Sequence, residues 1–428
     1  MTDTVQVDAQ RGWRMLLRRT AALLAGETAA RAIGFAVVVL LARRLGPSGF
    51  GVVTLGLTLV TFFAYIVDSG TELLNVREVA RTPSRFREIA EQMLGLRLML
   101  SVVAAVVFIA GVEIVAKSPF TRDTVVLFAI ILPAIALNLR WMALGVGGSR
   151  AIAAGNIASR LVVLLGALLL VSDSADLKRV PFLEAAAELA YGLIVLSVVG
   201  GSVGVIRPRA NLAVWRSTLR QSVPFTVGGV ARAMMSTFDI IVISLVLGPR
   251  DVGIYGVAAK PALFAAGAVA LFSLSFLSAF SATAVGEAAL LHGRALRTSF
   301  LACVGMAAVL CAAAPLVPLV FGESYRDAVP VVAVIAWRIP VAVLGLMYSS
   351  VLIAHDRQTT VMRNSVVAVV PTITFSLVAI LLFGLIGAAV ASIVAAGLLF
   401  VLNYRSVMRY EPTLRVATMW TRSSSGTL

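Results

Sequence analysis

Seven basic residues stand inside or at the edge of long runs of Ala, Val, Leu and Ile: Arg31, Arg97, Arg140, Arg160, Arg232, Lys260 and Arg338. An ionisable group at the centre of a bilayer costs about 2.5 kcal/mol or more unless it faces protein or water. Arg31 is 12 residues from both Arg19 and Arg43, or about 18 Å each way along a helix. That is midplane depth, and Arg232, 12 residues beyond Arg220, is equally deep. Deep acids are fewer, with Glu27 and Asp239 the clearest. Glu27 and Arg31 are spaced i, i+4 and can pair along one helix face. Asp239 follows Arg232 at i+7 and shares its face. A guanidinium presents a planar fork of donors matched to phosphate oxygens. Arg31, Arg232, Arg140, Arg160, Arg338 and Lys260 are therefore the candidate anion-binding residues, while Glu27 and Asp239 are candidates for ion coupling or simple pairing. Arg97, close to an interface, is expected to snorkel. Asp68 sits near the cytoplasmic end of the second apolar segment, and Glu184 and Glu188 near the outer end of the sixth. Asn138 and Asn156 read as interhelical hydrogen bonders. No catalytic set and no cofactor site emerge. Cys303 and Cys311 match no metal or redox spacing, and no Gly-Lys-Ser/Thr loop offers a cradle for ATP.

The elements that must position these residues are membrane helices. Of 428 residues 60% are hydrophobic and 13% charged, with a mean hydropathy of +0.97. A soluble domain carries roughly twice that charged fraction. Apolar segments long enough to cross a bilayer fall at 20–43, 49–69, 92–114, 124–147, 150–171 and 181–206, then at 222–247, 252–280, 298–320, 329–354, 364–384 and 385–408. The runs are continuous rather than alternating, which excludes a β-barrel. The net charge of +15 does not indicate nucleic acid, because the basic residues sit in short runs between apolar segments. With the N-terminus inside, the segments at 1–19, 70–91, 207–221 and 405–428 hold four arginines each, whereas no outer loop holds more than two Lys or Arg. Both termini are therefore expected in the cytoplasm, in a multi-pass protein of the inner membrane. The basic stretch Arg11 to Arg19 is expected to be the start of a retained signal anchor.

The chain also repeats itself. Ala30-Arg31-Ala32 … Leu45-Gly46-Pro47 returns as Ala231-Arg232-Ala233 … Leu247-Gly248-Pro249. Further on, Pro133 pairs with Pro340 and Arg150 with Arg357. The expected architecture is all-α, with about 12 transmembrane helices in two six-helix lobes, 1–206 and 207–428. An even number of spans per lobe implies pseudo-two-fold symmetry about an axis along the membrane normal and a central cavity.

The stretch Leu41-Ala42-Arg43-Arg44-Leu45-Gly46-Pro47, Phe50-Gly51, Asp68-Ser69-Gly70 and Arg77-Glu78-Val79-Ala80-Arg81 resembles the amino-terminal signature of the polysaccharide flippases. These belong to the multidrug/oligosaccharidyl-lipid/polysaccharide exporter superfamily. Leu247-Gly248-Pro249 … Val252-Gly253-Ile254-Tyr255-Gly256 and Gly384-Leu385-Ile386-Gly387-Ala388-Ala389-Val390-Ala391 are similar to the second half of that family. The resemblance implies a flippase, not an enzyme, that moves an undecaprenyl-diphosphate-linked oligosaccharide across the cytoplasmic membrane by alternating access. Its partners would be that lipid-linked substrate, membrane lipids and other polysaccharide-assembly proteins. A peptidoglycan-precursor flippase and an ion-coupled drug exporter are the alternatives within the superfamily. A drug exporter calls for an acidic cavity, and this one is expected to be basic. A membrane glycosyltransferase or polymerase would want carboxylates on a sizeable outer loop, and the first outer loop near Arg44 to Gly49 has none.

Overall fold

The computed structural model describes residues 2–72, 75, 79, 82–116, 118–145, 148–262, 285–410 and 414. Among them every regular element is helical. The main helices are α1 (Thr2–Asp68), α2 (Phe86–Val115), α3 (Ser149–Leu170), α4 (Val180–Val203), α5 (Leu212–Val246), α6 (Val285–Ala313), α7 (Arg338–Ala354) and α8 (Gln358–Met408), joined by shorter turns of helix. Nine stretches among the described residues are long and apolar enough to cross a membrane.

Two of the nine are hairpins. In α1 the chain reverses at Gly46, with φ 65° and ψ 177°, immediately before Pro47. Only glycine adopts such a backbone cheaply, and proline cannot donate to the preceding turn. In α8 Gly384 breaks the helix at φ 57° and ψ −133°. Each break leaves two arms of about 20 residues or more, and each arm is long enough to cross a bilayer. The remaining segment expected, 252–280, lies outside the described residues beyond position 262, and its first turns are helical.

The protein is thus an all-α integral membrane protein, as expected. Its outward face agrees: Ile114, Val106 and Leu169 are 84%, 61% and 80% exposed. So much exposed aliphatic surface suits lipid and not water.

Packing divides the chain into two units, Met1–Thr226 and Val227–Leu428. The sequence repeat places the division at 206/207. Packing assigns the intervening linker to the first unit because it is held on α2. Arg209 N donates to Glu91 O at 2.9 Å, and Trp215 Nε1 donates to the Gln92 carbonyl at 3.1 Å.

Within the first unit small residues let helices meet closely. A Cβ at Gly26 would lie 2.5 Å from that of Ala153, so α1 and α3 touch backbone to backbone. Phe86, Met93, Leu96, Leu139, Trp141, Met142 and Trp215 form a shared apolar core. The Arg44 guanidinium sits over the carbonyls of Ala167, Leu168 and Val171, capping the C-terminal end of α3. Cations are favoured there because the last carbonyls of a helix lack partners.

Within the second unit α7 and both halves of α8 are joined by a buried polar chain. Asn364 donates to Asn403 Oδ1 at 2.9 Å and to Ser406 Oγ at 3.0 Å, and Asn403 donates to Ser349 Oγ at 2.7 Å. In an apolar surrounding such bonds hold helices in one register.

Candidate functional site

The first unit carries Arg31, Arg140, Arg160 and Glu27. Arg31 Nη2 donates to Glu27 Oε1 at 2.9 Å within one turn of α1, and both side chains are about a third exposed. The i, i+4 pairing read from the sequence is therefore present. Arg160, on α3, reaches α1 one turn further along: its Cδ lies 3.7 Å from where a Cβ of Gly34 would be. A Cβ there would meet the arginine at ordinary van der Waals distance, so Arg160 lies against this turn of α1.

Arg160 and Arg140 are held more loosely than Arg31. Arg160 Nη1 is 3.8 Å from Glu184 on α4, and Arg140 Nε is 3.9 Å from Glu72. Both distances exceed a hydrogen bond, and the two guanidiniums are 42% and 47% exposed. Their donors are not saturated by these acids. Glu188, one turn after Glu184, faces Arg160 and Asn138. Arg97, expected to snorkel, is instead buried and lies 3.4 Å from Asp68. Burial and the neighbouring Asp68 carboxylate push the Glu72 carboxyl above its ordinary range, against the opposing pull of Arg140 and Arg97.

The second unit carries Arg232, Lys260, Arg338 and Asp239, and here the sequence reading is redrawn. Arg232 and Asp239 share α5, but Arg232 is exposed whereas Asp239 is only 2% exposed. Arg232 makes no ion pair among the described residues. Asp239 accepts from Tyr255 Oη at 2.8 Å and from Ser376 Oγ at 3.4 Å. Ser392 lies against Tyr255, and Arg338 acts electrostatically on both Asp239 and Tyr255. The buried Arg338 Nε and Thr372 Oγ1 have no hydrogen-bond partner among the described residues. Lys260 is half-buried in the helix that follows Gly248.

Tyr255, Ser376, Ser392 and Glu72 were not singled out as site residues from sequence. Tyr255 stands 16 positions from Asp239, beyond a turn, and Ser376 stands 137 away. No periodicity in either stretch marks such a meeting. Among the described residues no group of three or more His, Cys, Asp or Glu is placed to hold a metal ion.

This arrangement offers two kinds of chemistry. Partly exposed guanidiniums deep in apolar helices can exchange a protein carboxylate for an anionic ligand. A buried carboxyl with two hydroxyl donors can gain or lose a proton or cation without leaving its place.

Comparison with known proteins locates the chain. Residues 16–280 match the family described as "Polysaccharide biosynthesis protein". A protein of Escherichia coli (strain K12) named as an O-antigen transporter is 21% identical over 224 residues, which is 51% of this chain and 53% of that protein. The match thus spans about half the length of that relative. Among solved structures, an inward-facing multidrug resistance MATE family transporter of the MOP superfamily has a TM-score of 0.69 at 14% identity, covering 90% of this chain and 96% of that one. The lipid II flippase MurJ in an inward closed conformation also has a TM-score of 0.69, at 13% identity, covering 90% of this chain and 87% of that one. At these identities the likeness is one of fold.

Proposed function

Because the chain belongs to the polysaccharide biosynthesis protein family, we propose that it is a flippase for a lipid-diphosphate-linked oligosaccharide, of the undecaprenyl type, in cell-surface polysaccharide assembly. The relative named for O-antigen transport supports the substrate class. The fold it shares with transporters and a flippase supports translocation rather than catalysis.

The observation that carries this reading is the accessibility of two arginines in equivalent, mid-helix places. Arg31 is one-third exposed beside Glu27, and Arg232 is exposed with no ion pair among the described residues. A guanidinium turned to lipid at that depth would be strongly penalised. One turned to water or to a phosphate would not be. Arg31 and Arg232 would hold the diphosphate, with Arg160, Arg140, Arg338 and Lys260 adding donors along its route. The prenyl tail stays in lipid throughout, and alternating access carries the headgroup from the cytoplasmic to the outer side. Asp239 and Glu27 are the groups to which a coupling ion or proton would bind.

The test is transport in proteoliposomes loaded with a labelled lipid-diphosphate oligosaccharide. Arg31→Ala and Arg232→Ala should each lower the rate at least tenfold, which corresponds to about 1.4 kcal/mol of lost interaction, at unchanged insertion. Lys replacements should recover only part of it, since a point charge lacks the bidentate fork. Full transport by both Ala variants would overturn the assignment. Faster movement of the peptidoglycan precursor than of the oligosaccharide lipid would redirect the substrate class.

A further inference from the structure

The linker after α4, together with the first turns of α5, is built as a surface, not as slack chain. It lies between the candidate spans ending at Val198 and beginning at Phe225, so it runs along one face of the membrane. Three bonds fix it to α2: Arg87 Nη2 to the Val205 carbonyl at 3.1 Å, Arg209 N to Glu91 O at 2.9 Å, and Trp215 Nε1 to Gln92 O at 3.1 Å. Gly95 makes the seat, since a Cβ there would lie 2.5 Å from the Arg209 carbonyl oxygen. Asn211 Oδ1 accepts from Val214 N at 3.2 Å and opens the helix that follows. Trp215 is 8% exposed in the apolar core.

What the linker turns outward is unusual for a polar segment. Val205 and Leu212 are 72% and 76% exposed. Between them and after them Arg207, Arg209, Arg216 and Arg220 are all exposed. No Asp or Glu occurs anywhere from residue 189 to residue 238. None of these four arginines makes an ion pair among the described residues. Arg209 acts electrostatically on Glu88, which Arg85 already holds at 3.1 Å. By contrast, Arg85, just before α2, and Arg87, on it, are both paired with acids.

We propose that this face is a docking surface for anionic phospholipid headgroups of the leaflet it lies against. Leu212 and Val205 enter the boundary between headgroups and acyl chains, and the guanidiniums take the phosphates above it. Interleaved apolar and cationic residues, with no acid among them, are the pattern that binds such an interface. Because the linker is fixed to α2, lipid bound there braces the first unit and not merely a loose segment.

The experiment uses the full chain in nanodiscs of phosphatidylcholine alone, or with about 30% phosphatidylglycerol, a fraction that creates an anionic surface potential. Thermal unfolding and retained lipid, read by native mass spectrometry, are measured in both. Phosphatidylglycerol should raise the midpoint by several degrees, and the rise should fade at high salt as the charges are screened. The combined R207Q, R209Q, R216Q and R220Q variant should match the parent in phosphatidylcholine. It should lose most of the phosphatidylglycerol-induced rise and about tenfold of the retained anionic lipid, as removal of several surface cations predicts. The corresponding set of Lys substitutions should keep most of both, which guards against a variant that merely folds poorly. An undiminished rise in the Gln variant, or no rise in the parent, overturns the proposal. So does an equal rise with millimolar inorganic phosphate in place of the anionic lipid, since the surface would then bind the free ion.

Discussion

At the scale of single residues, the two carboxylates singled out from sequence sit in opposite circumstances. Glu27 is partly exposed and holds Arg31 at 2.9 Å, whereas Asp239 is buried and accepts from Tyr255 and Ser376. Removing Arg31 therefore leaves Glu27 alone but wettable, and changing both residues to neutral ones removes the pair cleanly. If Arg31 serves substrate, the Glu27→Gln, Arg31→Gln double variant should stay as inactive as Arg31→Ala in the proteoliposome assay. Restored transport would make the pair a packing device. At Asp239 the two available changes separate folding from coupling. Tyr255→Phe deletes a buried donor to a carboxylate and should cost about 1–3 kcal/mol of stability, read as a lower thermal midpoint. Asp239→Asn can still accept from Tyr255 Oη, so it should fold nearly normally and yet stop transport if a proton or cation must bind there. Normal transport by Asp239→Asn removes it as the coupling group. The Glu27–Arg31 pair was legible because i, i+4 on one helix is a fixed geometry. The Asp239 cluster was not, because its members come from separate helices whose register only packing decides.

At the scale of elements, hydropathy is a nearly sufficient guide to where helices cross and a poor guide to how they are held. The expected segments at 92–114, 150–171 and 329–354 lie within or nearly within the stretches Phe86–Val115, Arg150–Leu170 and Ala328–Ala354. The hairpin turns at Gly46 and Gly384 were marked in advance by the residues required there. The buried chain from Asn364 through Asn403 to Ser349 was invisible, since each member is an isolated polar residue in an apolar run. Its energetic role is testable: Asn403→Leu breaks two of its bonds and leaves Asn364 short of an acceptor. Interhelical hydrogen bonds in membranes contribute about 0.6–1.7 kcal/mol each, so the variant should unfold a few degrees lower by a thermal assay in detergent. An unchanged midpoint would show that packing alone sets the register of α7 and α8. Gly95→Val tests a different kind of contact, because it drives a side chain into the Arg209 carbonyl. Overpacking typically costs about 1–3 kcal/mol. Protease should then cut the linker near Arg207 faster than in the parent protein, and unchanged protection would mean that the linker's seat yields without cost.

At the scale of the whole molecule, the number of crossings fixes which ends share a side. Between Arg87 and Arg220 lie the spans Phe86–Val115, Pro119–Ala143, Arg150–Leu170 and Ser174–Val198. Four is even, so with each stretch crossing once the two arginines are expected to face the same compartment. Arg122 follows only the first of these spans, and Lys178 lies at the start of the fourth, so both must face the other side. The density of arginine at 70–91 and 207–221 leads us to expect that side in the cytoplasm, since cytoplasmic loops retain Lys and Arg during insertion. Arg409 follows α8, whose break at Gly384 is expected to make it two crossings and to return the chain to the side it left. Cytoplasm-active reporters fused after Arg87, Arg220 and Arg409 should therefore all be active, and reporters active only outside should respond after Arg122 and Lys178. The position after Arg409 is the most demanding, because it depends on the segment expected at 252–280 crossing once. Opposite signals after Arg220 and Arg409 would mean that this segment does not span. The second half of the chain would then hold an odd number of crossings, and the repeat that links Arg31 to Arg232 would lose its structural meaning.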